Sequence, residues 1–213
     1  MTSPTDGSQC GQELSATAHT VVLDGNLDGS NPDGRLHMNA TTDATSTLLT
    51  GERADLLDLL TKHRFFLRNT LRELTDEQAA LTPTVSELCL GGLVKHVSRV
   101  EQRWADFIVD GPGAMEMNET SYADHANSFR MLPGETVASI LAGYERVAAR
   151  TDGLLTSLPD LDLSHPLPEA PWFEPGARWS ARRAFLHIVA ETAQHSGHAD
   201  IIREAIDGAK SMG

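Results

Sequence analysis

Cysteine is nearly absent from this chain of 213 residues, which holds only Cys10 and Cys89, far apart and in unlike contexts. Neither a disulfide framework nor a Cys-x-x-Cys metal knuckle can be built from them. Basic residues are scarce as well, 17 against 30 acidic ones, for a net charge of −13. A nucleic-acid binder needs a cationic face to displace counterions, so that class is excluded, and an anionic membrane surface is disfavoured for the same reason. No run approaches the roughly 18 apolar residues of a membrane span, and the first residues form neither a basic stretch nor an apolar signal core. The expectation is a cytoplasmic protein with no membrane and no nucleic-acid partner. GxGxxG after a strand, GxxxxGKS/T, GxSxG and HExxH are all missing, which removes the nucleotide-cradle, serine-elbow and zincin readings.

What is present divides at about residue 45. Residues 1–45 are dominated by Thr, Ser, Gly, Asn and Asp, with one apolar cluster at Val21, Val22 and Leu23, too little to build a core. Six acids against Arg35 give this stretch −5 of the −13, so the remainder, at −8, is still acidic. The reading is a disordered acidic tail (1–45) before a folded domain (46–213). Met38 offers an alternative translation start to Met1.

From residue 50 onward the hydrophobic period is helical, and no segment shows the sustained alternation of a strand. Over 51–74, Leu56, Leu59, Leu60, His63, Leu67, Leu71 and Leu74 form one stripe. Thr75-Asp76-Glu77-Gln78 is a capping box that opens a short helix before Pro83. A second long helix, 90–109, carries Leu93, His96, Val97, Val100, Trp104, Phe107 and Ile108 on one side, and its only inward histidine is His96. A polar connection over 111–132 leads to a third helix at 134–158. A loop with five prolines follows, unsuited to regular helix or central strand. Ser180 caps a fourth helix that runs to about 207 and stops at Gly208. Four such helices with these connections specify an all-α four-helix bundle.

The chemistry lies on the fourth helix. Relative to His187, a helical wheel places Glu191, His195 and His198 at about 40°, 80° and 20°, so three imidazoles and a carboxylate share one stripe. Ile202 and Ala205 continue that stripe, which is therefore expected to face the interior. Burying four such groups unpartnered is costly, whereas a divalent metal accepts lone pairs from imidazole and carboxylate. Glu191 and His195 have the i, i+4 spacing of adjacent ligands, and the candidate third ligand on another helix is His96. The alternative is a set of hydrogen-bonded core histidines. Glu101, off the His96 stripe, is the only glutamate that the second helix offers, which argues against a di-iron carboxylate site. Cys89 reads as small core filler, Trp104 and Trp179 as anchors, and Trp172-Phe173 as either anchors or a wall of a substrate mouth.

Over residues 50–208 these features resemble the DinB-like superfamily of metal-binding four-helix bundles, which includes thiol S-transferases and the mycothiol-dependent maleylpyruvate isomerase. The resemblance is carried by Leu90-Gly91-Gly92-Leu93-Val94-Lys95-His96-Val97 with Val100-Glu101-Gln102-Arg103-Trp104. It is carried also by Trp179-Ser180, His187, Glu191, His195-Ser196-Gly197-His198-Ala199-Asp200 and Arg203-Glu204. It implies His96, Glu191 and His195 as a facial triad, with a glutamate where many relatives have histidine, and water or substrate in the remaining positions. His187 and His198 are then second-sphere or pocket residues, although i+3 from His195 also permits His198 to ligate.

The resemblance implies a metal-dependent thiol S-transferase or isomerase. In that reading the ion activates a low-molecular-weight thiol for attack on a small electrophile, and the reacting group is the thiol or a water. Imidazole and carboxylate suit zinc first, with nickel, iron or manganese as alternatives. Arginine outnumbers lysine 14 to 3, a bias of GC-rich coding sequences that fits mycothiol as the thiol. Two other readings stand beside this one: a non-catalytic metal-binding stress-response or structural protein, and a metal-dependent hydrolase. A homodimer is left open. Because the tail lacks periodic apolar residues, deleting residues 1–45 should leave the melting temperature within a few degrees; calorimetry that finds a large loss would show that the tail docks on the domain.

Overall fold

The computed structural model describes residues 49–116 and 119–211, so the tail expected over 1–45 lies outside the described residues. Six α-helices follow in order: α1 (Glu52–Asn69), α2 (Asp76–Ala79), α3 (Leu90–Asp110), α4 (Glu119–Ser128), α5 (Val137–Ser157) and α6 (Ala181–Asp207). A 3-10 helix, Gly111–Met115, continues α3, and a two-stranded ribbon, β1 (Ser164–Pro166) with β2 (Arg178–Ser180), precedes α6. The long helices α1, α3, α5 and α6 form the expected four-helix bundle, with α3 packed on both α5 and α6, and α1 on α6 and α5. None of the described helices is long and apolar enough to cross a membrane.

Most boundaries follow from local chemistry. The Thr75 hydroxyl accepts from Gln78 N–H while the Gln78 side chain accepts from Thr75 N–H, the reciprocal box expected for α2. Ser180 caps α6 through Arg183 N–H, and Gly208 ends it in the left-handed conformation, φ 78°. At the start of α3 the Cys89 thiol is the capping acceptor for Gly92 N–H and donates to the Phe129 carbonyl, so this buried thiol is structural.

Three expectations need correction. The first helix ends at Asn69, five residues early: Thr70 caps it and Glu73 turns the chain at φ 59°. Arg203 of α6 takes over there, donating to the Thr70 and Arg72 carbonyls at 2.7 Å each while Asp207 holds its other nitrogens. The supposed polar connection over 111–132 is largely helical, comprising the 3-10 turn and α4. The proline-rich loop also contains strand pairing, with His165 opposite Trp179 and Pro166 opposite Arg178. A two-stranded ribbon consists only of edges, which is where a residue lacking an N–H is tolerated.

Close approach places α4. A Cβ on Gly92 would sit 2.0 Å from the Phe129 carbonyl oxygen, so glycine there lets the end of α4 descend onto the first turn of α3.

The core has two apolar halves. One gathers Leu56, Leu60, Trp104, Phe107, Ile108, Leu155, Phe185 and Ile188; the other gathers Leu67, Leu90, Leu93, Val97, Ile140, Tyr144, Ala199 and Ile202. Between them along every helix stand buried polar residues: Arg64 on α1, Glu101 on α3, Thr151 on α5, and Thr192 and Ser196 on α6. Arg64 grips Glu101 through two nitrogens, at 3.1 and 2.6 Å, and reaches Asp152 at 2.7 Å. Glu101 is wholly buried, so Glu101→Ala leaves a guanidinium facing the interior with only half-buried Asp152 beside it. That substitution should cost about 3–5 kcal/mol in urea unfolding, while a joint apolar replacement of Arg64 and Glu101 should cost far less.

Candidate metal centre

The polar stripe of α6 occupies a border. The helix buries Ile188, Thr192, Ser196, Ala199 and Ile202, whereas His187, Glu191, His195 and His198 are half-buried and Ala205 is exposed. The stripe therefore does not face the interior as expected; it lies at the seam between core and solvent. Its geometric neighbour is His96, buried on α3 at 5% exposure, whose ring centroid lies 5.0 Å from that of His195. One donor atom each from His96, Glu191 and His195 lie within 4.8 Å of one another, a separation that one ion can bridge by drawing them inward. Side-chain exposures of 26% at Glu191 and 13% at His195 leave that meeting point open on one side.

Each of the three donors has a partner behind it. Glu191 lies between two imidazoles, with His187 Nε2 3.5 Å from Oε1 and His195 Nε2 3.7 Å from Oε2. The other nitrogen of His195, Nδ1, faces His198 Nδ1 at 3.4 Å. His96 Nδ1 lies 3.0 Å from the buried Ser128 hydroxyl, and its ring stacks on Phe129 with centroids 3.8 Å apart. Of the two histidines whose role the sequence left open, His198 thus directs a nitrogen at His195, and His187 directs one at Glu191.

A wall of aromatics holds His187. Its ring meets Trp104 at 4.8 Å and Trp179 at 5.2 Å, both edge to face, and the two indoles stack at 4.5 Å. The guanidinium of Arg183 covers Trp179 at 4.1 Å. Phe173 packs edge-on against Trp179, while Trp172 is exposed. Glu101 takes no part in the cluster, being committed to Arg64.

The electrostatics suit imidazole donors that are uncharged. Burial, reinforced by the charges of His195, His125 and Arg99, pushes His96 down to about 3. Burial likewise lowers His195, with His198 adding to the effect. It also lowers His187, against the opposing pull of Glu191. At neutral pH these imidazoles keep their lone pairs, the form that a cation such as zinc requires.

Sequence reasoning missed α4 altogether, and with it Ser128, Phe129 and His125, the last of which approaches His96 at 5.5 Å. The available signal was slight: residues 119–128 lack proline and glycine and bring Ser121, Tyr122, His125 and Ser128 round at helical spacing.

A model of the mycothiol-S-transferase family matches residues 55–208, most of the chain and all of this site. The chain belongs to the mycothiol-S-transferase family. Family membership accounts for the DinB-like bundle and points to a thiol as the substrate class. Among solved structures, the fold is similar to the crystal structure of a conserved protein from Enterococcus faecalis. That match has 15% identity and a TM-score of 0.55, over 76% of this chain and 100% of the other. At that identity the likeness speaks to fold alone. No curated protein matches the sequence.

The lowered histidines carry a pH dependence. Unfolded, each takes up a proton near pH 6.5; folded, each resists protonation until a lower pH, about 3 for His96. Between those values the unfolded chain binds more protons, so stability is complete above about pH 6.5 and falls as the solution is acidified. Each histidine contributes a slope of at most about 1.4 kcal/mol per pH unit. The melting temperature of chelator-treated protein should decline below about pH 6.5 and decline less steeply in His96→Ala; identical profiles would contradict the shift.

Proposed function

We propose that this protein is a metal-dependent thiol S-transferase or isomerase, with His96, Glu191 and His195 as the ligands of one divalent ion and mycothiol as the thiol. The observation that carries the reading is the convergence of these three donors, at the solvent-facing seam between α3 and α6, in a member of the mycothiol-S-transferase family. Zinc is the ion favoured by two imidazoles and a carboxylate, and its chemistry there would be to lower the pKa of a thiol so that thiolate exists at neutral pH.

The residues of the chain supply the rest. His187 steadies Glu191 from one side, and the Trp104–Trp179 pair fixes the plane of His187. Burial keeps both imidazole donors uncharged, so binding need not displace protons at pH 7. The half-buried border gives a small electrophile access from solvent, and the thiol of mycothiol enters from the same side. Three protein donors leave coordination positions free, the hallmark of catalytic sites, whereas a structural site is closed by four. His198, the candidate fourth donor, is not among the described residues whose donor atoms converge, which favours catalysis over a purely structural ion.

Metal analysis of the purified protein, followed by conjugation assays with mycothiol, bacillithiol and glutathione, tests the reading. About one equivalent of metal and activity with mycothiol are expected. His96→Ala, Glu191→Ala and His195→Ala should each empty the site. His187→Ala should weaken it by roughly 10–100-fold, as for partners outside the ligand set. Chelation should lower the melting temperature of the wild type and leave the three ligand variants almost unchanged. Equal metal content in the wild type and His96→Ala would overturn the assignment.

A further inference from the structure

We infer that Ser128 is a positioning residue: its hydroxyl holds His96 in the tautomer that carries the proton on Nδ1, which leaves Nε2, with its lone pair, as the ring nitrogen free to serve beside Glu191 and His195. The inference rests on the metal-dependent reading above and adds to it a residue from an element that the sequence does not advertise.

The direction of the bonds decides it. The Ser128 hydroxyl has one proton and two bonds to make, one to the His125 carbonyl oxygen at 2.6 Å and one to His96 Nδ1 at 3.0 Å. A carbonyl oxygen can only accept, so the proton of Ser128 goes to His125, by the shorter bond. Toward His96 the hydroxyl oxygen then presents a lone pair and accepts, which requires Nδ1 to carry the hydrogen. A neutral imidazole has one N–H, so Nε2 keeps its lone pair. Water does not compete, because Ser128 is 1% exposed. Phe129, stacked at 3.8 Å, fixes the plane of the ring, and the lack of a side chain at Gly92 allows the end of α4 to come close enough for both contacts. Without the serine, either tautomer of His96 is available, and the one protonated at Nε2 cannot ligate through that atom.

Two measurements test this, the first of them with no metal and no variant. In chelator-treated wild type at neutral pH, long-range proton–nitrogen NMR of the His96 ring should show the hydrogen on Nδ1; finding it on Nε2 would overturn the inference whatever the protein binds. In Ser128→Ala the ring should become a mixture of tautomers, and zinc affinity, measured by competition with a chromophoric chelator, should fall roughly 10–100-fold. A Ser128→Ala protein with the wild-type tautomer and wild-type zinc affinity would assign Ser128 to packing only. The two readings fail separately. A wild type that takes up no zinc defeats the metal assignment while the tautomer still decides the role of Ser128. Zinc bound through His96 with no effect of Ser128→Ala defeats only the present inference.

Discussion

A guanidinium cannot be left unpaired inside a helical bundle, and at Arg64 this requirement ties three helices together at one height. Glu101 of α3 and Asp152 of α5 both reach the α1 arginine, so the middle of the bundle is set by charge pairing. The apolar halves on either side have interchangeable leucines and would tolerate sliding. An arginine that needs two carboxylates does not. The candidate metal centre lies close along the helices: His96 is five residues, about one and a half turns, before Glu101 on α3, and Glu191 and His195 lie on either side of Thr192 on α6. The Ser196 hydroxyl of α6 also reaches the His63 carbonyl of α1, at 3.5 Å, so α1 relates the part of α3 that carries Glu101 to the turn of α6 that carries His195.

Depth divides the labour among the donors. His96 is buried and comes from the most enclosed helix, while Glu191 and His195 stand at the rim of α6. An ion held this way would be anchored from below and open from the side. Behind each donor is a different support: an aromatic-clamped imidazole for Glu191, a second imidazole for His195, and a serine with its own carbonyl anchor for His96. Outer contacts of this kind orient a ligand and select its protonation state. Here they come from α4 and α6, from Trp104 of α3 and from the indole of β2, so α4 and the ribbon belong to the site as much as the long helices do.

How much of this was legible follows from what each residue's neighbours are. Helix periodicity, the Thr75 box, the Ser180 cap and the Gly208 stop are local signals, and all four mark real features of the structure. The candidate triad could be drawn from the sequence because two of its members share one helix face and His96 is the only histidine on an otherwise apolar stripe. The early end of α1 was not legible, since the arginine that completes it lies 133 residues beyond Thr70. Glu101 could be placed only as lying off the His96 stripe; its burial depends on Arg64, itself set among the leucines of α1. The inward reading of the α6 stripe failed for a related reason. Periodicity gives the direction of a face to within about one residue, and a shift of 100° separates a core position from the border.

The same border position links the fold to thiol chemistry. In the proposed function a low-molecular-weight thiol and its electrophile would both have to reach a site that also held an ion against water, and these demands conflict in a fully buried core. On α6 they are met by adjacent residues. Thr192 and Ser196 turn inward and donate to carbonyls one turn back, at 2.8 and 2.7 Å, so their hydroxyls are satisfied within the helix. Glu191 and His195, one residue earlier in each case, point to the seam. A helix can therefore close the core with one stripe and present donors to solvent with the next. α3 completes the set with a single buried imidazole, and α4 determines which nitrogen of that imidazole is offered.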